Sequence, residues 1–494
     1  MIIAESYLPQ KGHHVRLLSA RRAALAATLT AATLTGGVIA APAPASAAAQ
    51  LIANGTFDTT TAPWAALGQT TVTLEQQAMR VQVRQNVANP WDAMVASPTA
   101  AALNPGKSYT LSFDAYSTAA FTAKATVQYT ATPSSNQSLA TDVPLTTTSK
   151  RYTFPFTAAQ AGATAAEVTF QLGGSGGTPV VRFDNVSLME TQTTRPTALY
   201  VNPKSNPARW ASENGGRPES GPIMDAIGSK PIFDWFGNWF PDITKAVDTY
   251  VGAAQAADKL PMLVAYNIPN RDACALFSGG GAGDAAGYHA WITDFAKAIG
   301  NRHAIVVLEP DAIAAAPCVA DLNPPKNPDD QYRMLLDATQ VLSTHAPNTW
   351  VYLDAANATW RTPNFMAEKL VESGVANTRG FSVNVSNYLT TAVSEQYAVA
   401  VNGLLPGTVG AKKYVIDTSR NGKGPYEDDT PGDNWCNPPD RKLGTPPVRQ
   451  TSGAEYLFWI KVPGDSDGEC GFIDDIPAGS FDPRLAMSLI TGES

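Results

Sequence analysis

The chain holds 43 acidic and 35 basic residues among 494, a formal net charge of −8 with only 16% charged side chains. That length exceeds one compact core and predicts two or three domains, and the negative balance excludes a polybasic nucleic-acid or anionic-membrane binder, which needs a positive field. Gly 38 and Pro 37 follow no period and hydrophobic residues reach 44%, which excludes a wholly disordered chain and predicts packed cores.

At the amino terminus Arg16, Arg21 and Arg22 precede an Ala/Leu/Thr-rich run from Ala23 to Ala41, and Ala45-Ser46-Ala47 fits a small-residue cleavage pattern. Thr and Gly interrupt the run and Pro42 and Pro44 close it, which argues against a transmembrane anchor. Residues 1–49 therefore read as a secretion signal peptide, and the mature protein is expected to be extracellular. Beyond them stand 42 acids, 31 bases and three histidines, His289, His303 and His345, none in a zinc or catalytic-triad motif. Cys274, Cys318, Cys436 and Cys470 are even in number in an exported chain, so disulfides are expected. Three pairings can be drawn; the shortest loops join Cys274 to Cys318 and Cys436 to Cys470, the pairing we expect.

From residue 50 to 190 the chain has no cysteine, eight acids and seven bases, and period-2 alternation such as Met79-Arg80-Val81-Gln82-Val83 and Glu167-Val168-Thr169-Phe170-Gln171-Leu172. Short alternating strands separated by Gly, Pro and Asn predict a β-sandwich. Its opening LIANGTFD and closing VRFDNVSL resemble the first and last strands of carbohydrate-binding modules of the family 4/22 jelly-roll type. Sugar recognition uses aromatic faces beside amides, which makes Trp64, Trp91, Gln128 and Gln171 candidate binding residues. The resemblance also implies a structural calcium at Asp184 and the Asn54–Thr56 backbone.

Residues 191–198 form a Thr/Pro-containing linker, and from 199 to 494 the pattern changes. Candidate strands Pro261–Tyr266, Ala304–Leu308, Thr349–Leu353, Gly380–Val385, Lys413–Ile416 and Tyr456–Val462 alternate with amphipathic helices over Thr244–Asp258, Ala285–Gly300, Gln331–His345, Pro363–Ser373 and Thr391–Leu404. This order predicts a parallel β/α barrel. The run SGGGAGD at Ser278–Asp284 follows a loop rather than a strand, so no nucleotide site is expected. Acids crowd the strand ends: Asp272, Glu309, Asp311, Asp354, Asp417, Asp465 and Asp467. In such a barrel the carboxyl ends share one face, where active sites form. Acids without histidine suit a carboxylate pair acting on a glycosidic bond better than a metal site.

The motifs AYNIPNRDAC (Ala265–Cys274), VVLEPD (Val306–Asp311), VYLDAANATW (Val351–Trp360), VIDTSRNGKGP (Val415–Pro425), NWCNPP (Asn434–Pro439) and WIKVPGDSDGEC (Trp459–Cys470) resemble, in order, the signatures of glycoside hydrolase family 6, the cellulases. YVNPKSNPARW (Tyr200–Trp210) resembles the family's opening strand. The resemblance implies a distorted β/α barrel, inverting hydrolysis of cellulose and β-1,4-glucan oligosaccharides, no catalytic cofactor and a monomer without nucleic-acid or membrane partners. By motif, Asp311 is the general acid, Asp354 the anion that raises its pKa, Asp467 the base, directly or through water, and Asp272 a support of that proton path. Tyr266 would crowd the distorted sugar, Lys461, Asp465 and Asn387 would contact hydroxyls, and Trp235, Trp360 and Trp435 would stack glucosyl rings. Asp417 and Glu309 read as hydrogen-bonding supports, and Trp350 and Trp459 as core.

Two departures stand out. The final motif ordinarily reads Gly-Glu-x-Asp, whereas here it is Gly464-Asp465-Ser466-Asp467, one methylene shorter. Exo-acting members carry a long insertion between the last Asp-Gly and its cysteine; here only Glu469 separates Gly468 from Cys470, which implies an open cleft and endo action.

Overall fold

The computed structural model describes residues 50–129, 137–159, 166–191, 194–275, 277–427 and 434–494. The expected signal segment lies outside them. Alternating residues lay down strands β1 (Ala65–Gly68), β2 (Thr70–Glu75), β3 (Ala78–Val83), β4 (Ala93–Pro98), β5 (Ser108–Ser117), β6 (Phe121–Tyr129), β7 (Gln137–Leu145), β8 (Lys150–Thr157), β9 (Ala166–Gln171) and β10 (Val180–Glu190). They form two antiparallel five-stranded sheets, β1-β4-β9-β6-β7 and β2-β3-β10-β5-β8. In β3 the odd residues Met79, Val81 and Val83 are buried and Arg80 and Gln82 face outward, the period of a half-buried strand. Phe113, Phe170 and Phe183 meet between the sheets, with the last two stacked at 4.1 Å.

After the linker, short helices α1 (Asn206–Glu213) and α2 (Ser220–Ile223) lead into alternating elements: β11 (Asp234–Phe236), α3 (Ile243–Ala256), β12 (Met262–Ala265), α4 (Ala285–Ile299), β13 (Ala304–Leu308), α5 (Ala312–Ala315), α6 (Pro328–His345), β14 (Thr349–Asp354), α7 (Pro363–Glu372), β15 (Gly380–Val383), α8 (Thr391–Gly403), β16 (Lys413–Asp417), β17 (Val448–Arg449), β18 (Tyr456–Phe458) and α9 (Pro483–Thr491). The sheet runs β11-β12-β13-β14-β15-β16-β18-β17, parallel except for the β17–β18 pair. It curls until Phe233, beside β11, donates its N–H to the Trp459 carbonyl at 3.1 Å and packs on Phe458. Met262, Val264, Ile305, Val307 and Phe458 fill the inside of the curl, while Leu263, Ala265, Val306 and Leu308 face the helices. Strands buried on both faces read as continuous apolar runs, which is why Ala304–Leu308 was legible without alternation.

One expected strand is absent. Leu199 makes a lone parallel bridge to Leu260, and Asn206 already opens α1. Pro203 and Pro207 lack the N–H a central strand must donate. Conversely, the three-residue β11 was too short to announce itself. Both expected disulfides are formed, with Cα–Cα separations of 5.2 Å for Cys274–Cys318 and 5.9 Å for Cys436–Cys470.

Candidate active site

The carboxyl ends of the parallel strands converge on a cleft of about 1880 Å³. A small-ligand pocket measures roughly 300–1,000 Å³, so this one suits a polymer. Several non-glycine residues at these strand ends hold left-handed backbone: Asp272 (φ 56°), Glu309 (49°), Asp311 (70°), Ala356 (53°) and Ser386 (56°). Each costs about 1–3 kcal/mol and persists only where the surroundings over-determine it. Such strain concentrates where side chains must be aimed rather than packed.

Asp311 turns out of β13 into the cleft, and Asp354 lies behind it at the end of β14. Asp354 Oδ2 accepts the N–H groups of Asp311 (2.9 Å) and Ala356 (3.0 Å), and its Oδ1 accepts the Ser382 hydroxyl (3.1 Å). Burial, then the charge of Asp354, pushes the Asp311 carboxyl well above the ordinary range. Asp354 itself is pushed up to about 6 by burial, restrained by those three hydrogen bonds. The pair therefore separates in acidity, with the proton resting on Asp311.

Across the cleft, Tyr266 and Ser278 share a hydrogen bond of 3.0 Å, and Ser278 donates from N–H (2.7 Å) and hydroxyl (3.1 Å) to Asp272 Oδ2. Ser278 stands in a glycine-rich run whose sequence marks only a loop, and nothing local to it announces a partner for Asp272. One of that run's glycines, Gly281 (φ 99°), serves close packing: a side chain there would lie 1.9 Å from the Ile268 carbonyl.

Asp467 is held by two cations, Arg420 at 2.7 Å and Lys461 at 3.1 Å, and accepts the Asn437 N–H at 3.1 Å. Burial alone would raise this carboxyl, but Arg420 and Lys461 outweigh it and hold it below the usual range. Arg420 thus serves Asp467 rather than its sequence neighbour Asp417. Asp417 accepts N–H groups from Ser386, Ser419, Ile460 and Lys461. Glu309 likewise accepts from Asn267 and Ile268, and burial pushes it up to about 7. Asp465 lines the cleft, accepts from Asn206 at 2.9 Å and leaves Oδ1 without a partner; burial pushes it up to about 7.

Trp235, Trp360, Trp435 and Asn387 all line the cleft. Trp235 donates Nε1–H to the Ile460 carbonyl at 2.8 Å and stands edge-on to Tyr266 at 5.1 Å, while Trp435 stands edge-on to Phe277 at 5.8 Å. Trp459 is core, and Trp350, half-buried against the inner core, is also clasped between Arg195 and Arg379, 3.9 and 3.7 Å from its ring centre.

In the sandwich, Trp64 is 5% exposed and stacked on Phe170 at 5.4 Å. Its faces are occupied by core, which corrects its reading as a sugar platform. Trp91, 59% exposed, is open to solvent. Gln128 and Gln171 share one outward sheet face but are 3% and 5% exposed, drawn into a network with Thr126, Thr169 and Glu167. The calcium reading does not fit the donors. Both Asp184 oxygens accept from Asn185, the neighbouring Asp114 pairs with the Lys245 ammonium at 2.8 Å, and among the described residues no group of three or more His, Cys, Asp or Glu is arranged to hold a metal ion.

A family model described as glycosyl hydrolases family 6 matches residues 194–486, and one described as a carbohydrate binding domain matches residues 49–179. The chain is 44% identical over 301 residues to Endoglucanase 1 of Streptomyces halstedii, covering 61% of this chain and 90% of that protein. It is 28% identical to a probable 1,4-beta-D-glucan cellobiohydrolase C of Aspergillus niger, covering 59% of this chain and 76% of that one. Among solved structures, the endoglucanase Cel6 of Mycobacterium tuberculosis, in complex with a methyl-cellobiosyl-thio-cellobioside, superimposes with a TM-score of 0.55 at 36% identity, covering 60% of this chain and 99% of that one.

Proposed function

Because the chain belongs to glycosyl hydrolases family 6, we propose that its cleft cuts internal β-1,4-glucosidic bonds of cellulose with inversion at the anomeric carbon. The chain is a cellulase with endoglucanase relatives, and its kinship to cellobiohydrolases is more distant. The observation that supports the chemistry is the half-buried Asp311 carboxyl lining the cleft, with the Asp354 carboxylate bonded to its backbone N–H at 2.9 Å; burial and that neighbouring charge both favour a proton on Asp311. Asp311 donates it to the glycosidic oxygen as the C1–O bond breaks, and water adds to C1 from the opposite face.

For the water's proton we assign two carriers. Asp467 is ionised, but its pairing with Arg420 and Lys461 makes it a weak acceptor. The Tyr266–Ser278–Asp272 chain offers a second, relayed route. Trp235, Trp360 and Trp435 stack glucosyl rings, and Lys461, Asp465 and Asn387 meet their hydroxyls. Two carboxyls suffice for this reaction, so no cofactor is called for.

We read the sandwich, residues 50–190, as a jelly-roll module that gathers glucan chains, with Trp91 as its aromatic contact. The 191–198 linker joins it to a distorted β/α barrel at 199–494. The protein acts outside the cell as a monomer. Carboxymethylcellulose tests the endo reading: viscosity should fall much faster than reducing ends appear, with α-anomers as first products. Cellobiose release at nearly constant viscosity would establish exo action instead.

A further inference from the structure

Trp239 has no role in the chemistry above, yet it lines the same cleft and leaves 48% of its surface in solvent. An exposed tryptophan is ordinarily a loose surface residue; this one is clamped. The Arg271 guanidinium lies 5.4 Å from its ring centre and 4.9 Å from that of Tyr266. Arg271 is itself fixed by the Ser278 carbonyl (2.8 Å), Asn238 Oδ1 (3.0 Å) and the Tyr266 carbonyl (3.2 Å). Gly237 stands against the benzo edge of the indole, where a Cβ would lie 2.3 Å from Trp239 Cζ3, so only glycine leaves the ring this place. Phe240 flanks it at 6.2 Å and is stacked on buried Phe236 at 5.4 Å. Trp235, Tyr266, Arg271 and Trp239 therefore form one contiguous series along the cleft wall.

From this rigid, half-open ring on the cleft wall we propose that Trp239 is an additional glucosyl-stacking subsite beyond those of Trp235, Trp360 and Trp435, extending the cleft toward the sandwich. The direction follows from what adjoins it. Asp242 and Lys245, which line the same cleft, are bonded to the sandwich through the Arg151 N–H (3.0 Å) and Asp114 (2.8 Å). An aromatic face stacks on the apolar face of a pyranose, and a locked ring loses no rotamer freedom on binding. The inference rests on the glucanase reading of the cleft.

The test compares Trp239→Ala, Trp239→Tyr and the parent on cellotetraose and cellohexaose. In Trp239→Ala the loss of kcat/KM on cellohexaose should exceed that on cellotetraose by about three- to ten-fold, the span of one aromatic contact. The bonds cut in cellohexaose should redistribute, and Trp239→Tyr should restore most of both. Equal losses on the two substrates, or an unchanged cleavage pattern with a folded variant, would overturn the subsite. A parent that hydrolysed neither oligosaccharide would instead refute the glucanase reading.

Discussion

The guanidinium of Arg151, on sandwich strand β8, closes on the carboxylate of Asp248, on helix α3 of the catalytic half, with Nη2 at 2.5 Å and Nε at 3.0 Å. Both side chains are buried, and Arg302 meets the other oxygen of Asp248 at 2.8 Å. Burial would raise the Asp248 carboxyl, but Arg302 and Arg151 together hold it below the ordinary range. The two halves are thereby joined by a charge shared across their boundary.

Removing Arg151 while keeping its partners should cost less than the roughly 3–5 kcal/mol of a wholly uncompensated buried charge, because Arg302 stays on Asp248. Arg151→Ala should lower the melting temperature and separate the unfolding of the halves, both read by calorimetry. Deleting residues 51–190 leaves Arg302 on Asp248. Turnover on soluble oligosaccharides should survive that deletion at moderate temperature, and activity on insoluble glucan should fall, since a tethered binder raises local substrate concentration.

Asp311→Ala should abolish hydrolysis of cellulose, where the leaving alkoxide must be protonated, yet spare much of the rate on a dinitrophenyl cellobioside, whose phenolate leaves unaided. The alkaline limb of the pH profile, set by the raised carboxyl of Asp311, should vanish on that substrate. Equal losses on both substrates in a folded variant would show that Asp311 is not the acid.

Asp354→Asn tests what raises Asp311. Burial is the larger cause and the Asp354 charge the second. Removing the charge lowers the pKa of Asp311, so the alkaline limb should move to lower pH without disappearing. A limb that stays in place would assign the shift to burial alone.

Asp467→Asn leaves Arg420 buried without its anion and should destabilise the fold by about 3–5 kcal/mol at neutral pH. The native carboxyl sits below its ordinary value. Its contribution is therefore present above about pH 4 and lost as the pH falls through the depressed pKa. Acid unfolding followed by circular dichroism should show that limb flattened in the variant. Hydrolysis of both glucan and activated substrates should drop alike, while Ser278→Ala should slow turnover with little change in KM if the relayed route operates.

Sequence alone determined which acids would end the parallel strands. Continuous apolar runs ended by acids place Asp311, Asp354 and Asp417 at the same end of parallel strands, because parallel strands separated by helices must align their ends. It also predicted the pairing of the cysteines through the shortest loops. Only the tertiary structure decided partners and exposure. Arg420 stands beside Asp417 in sequence but turns to Asp467, 47 residues away. Arg151 finds Asp248 97 residues on, in the other half. Trp64 and Trp239 look alike as letters; one is walled in by Phe170 and the other lies half exposed on the cleft wall. Local spacing dictates backbone periodicity, but burial and charge pairing are set by whatever the completed fold brings near, and no window along the chain contains that information.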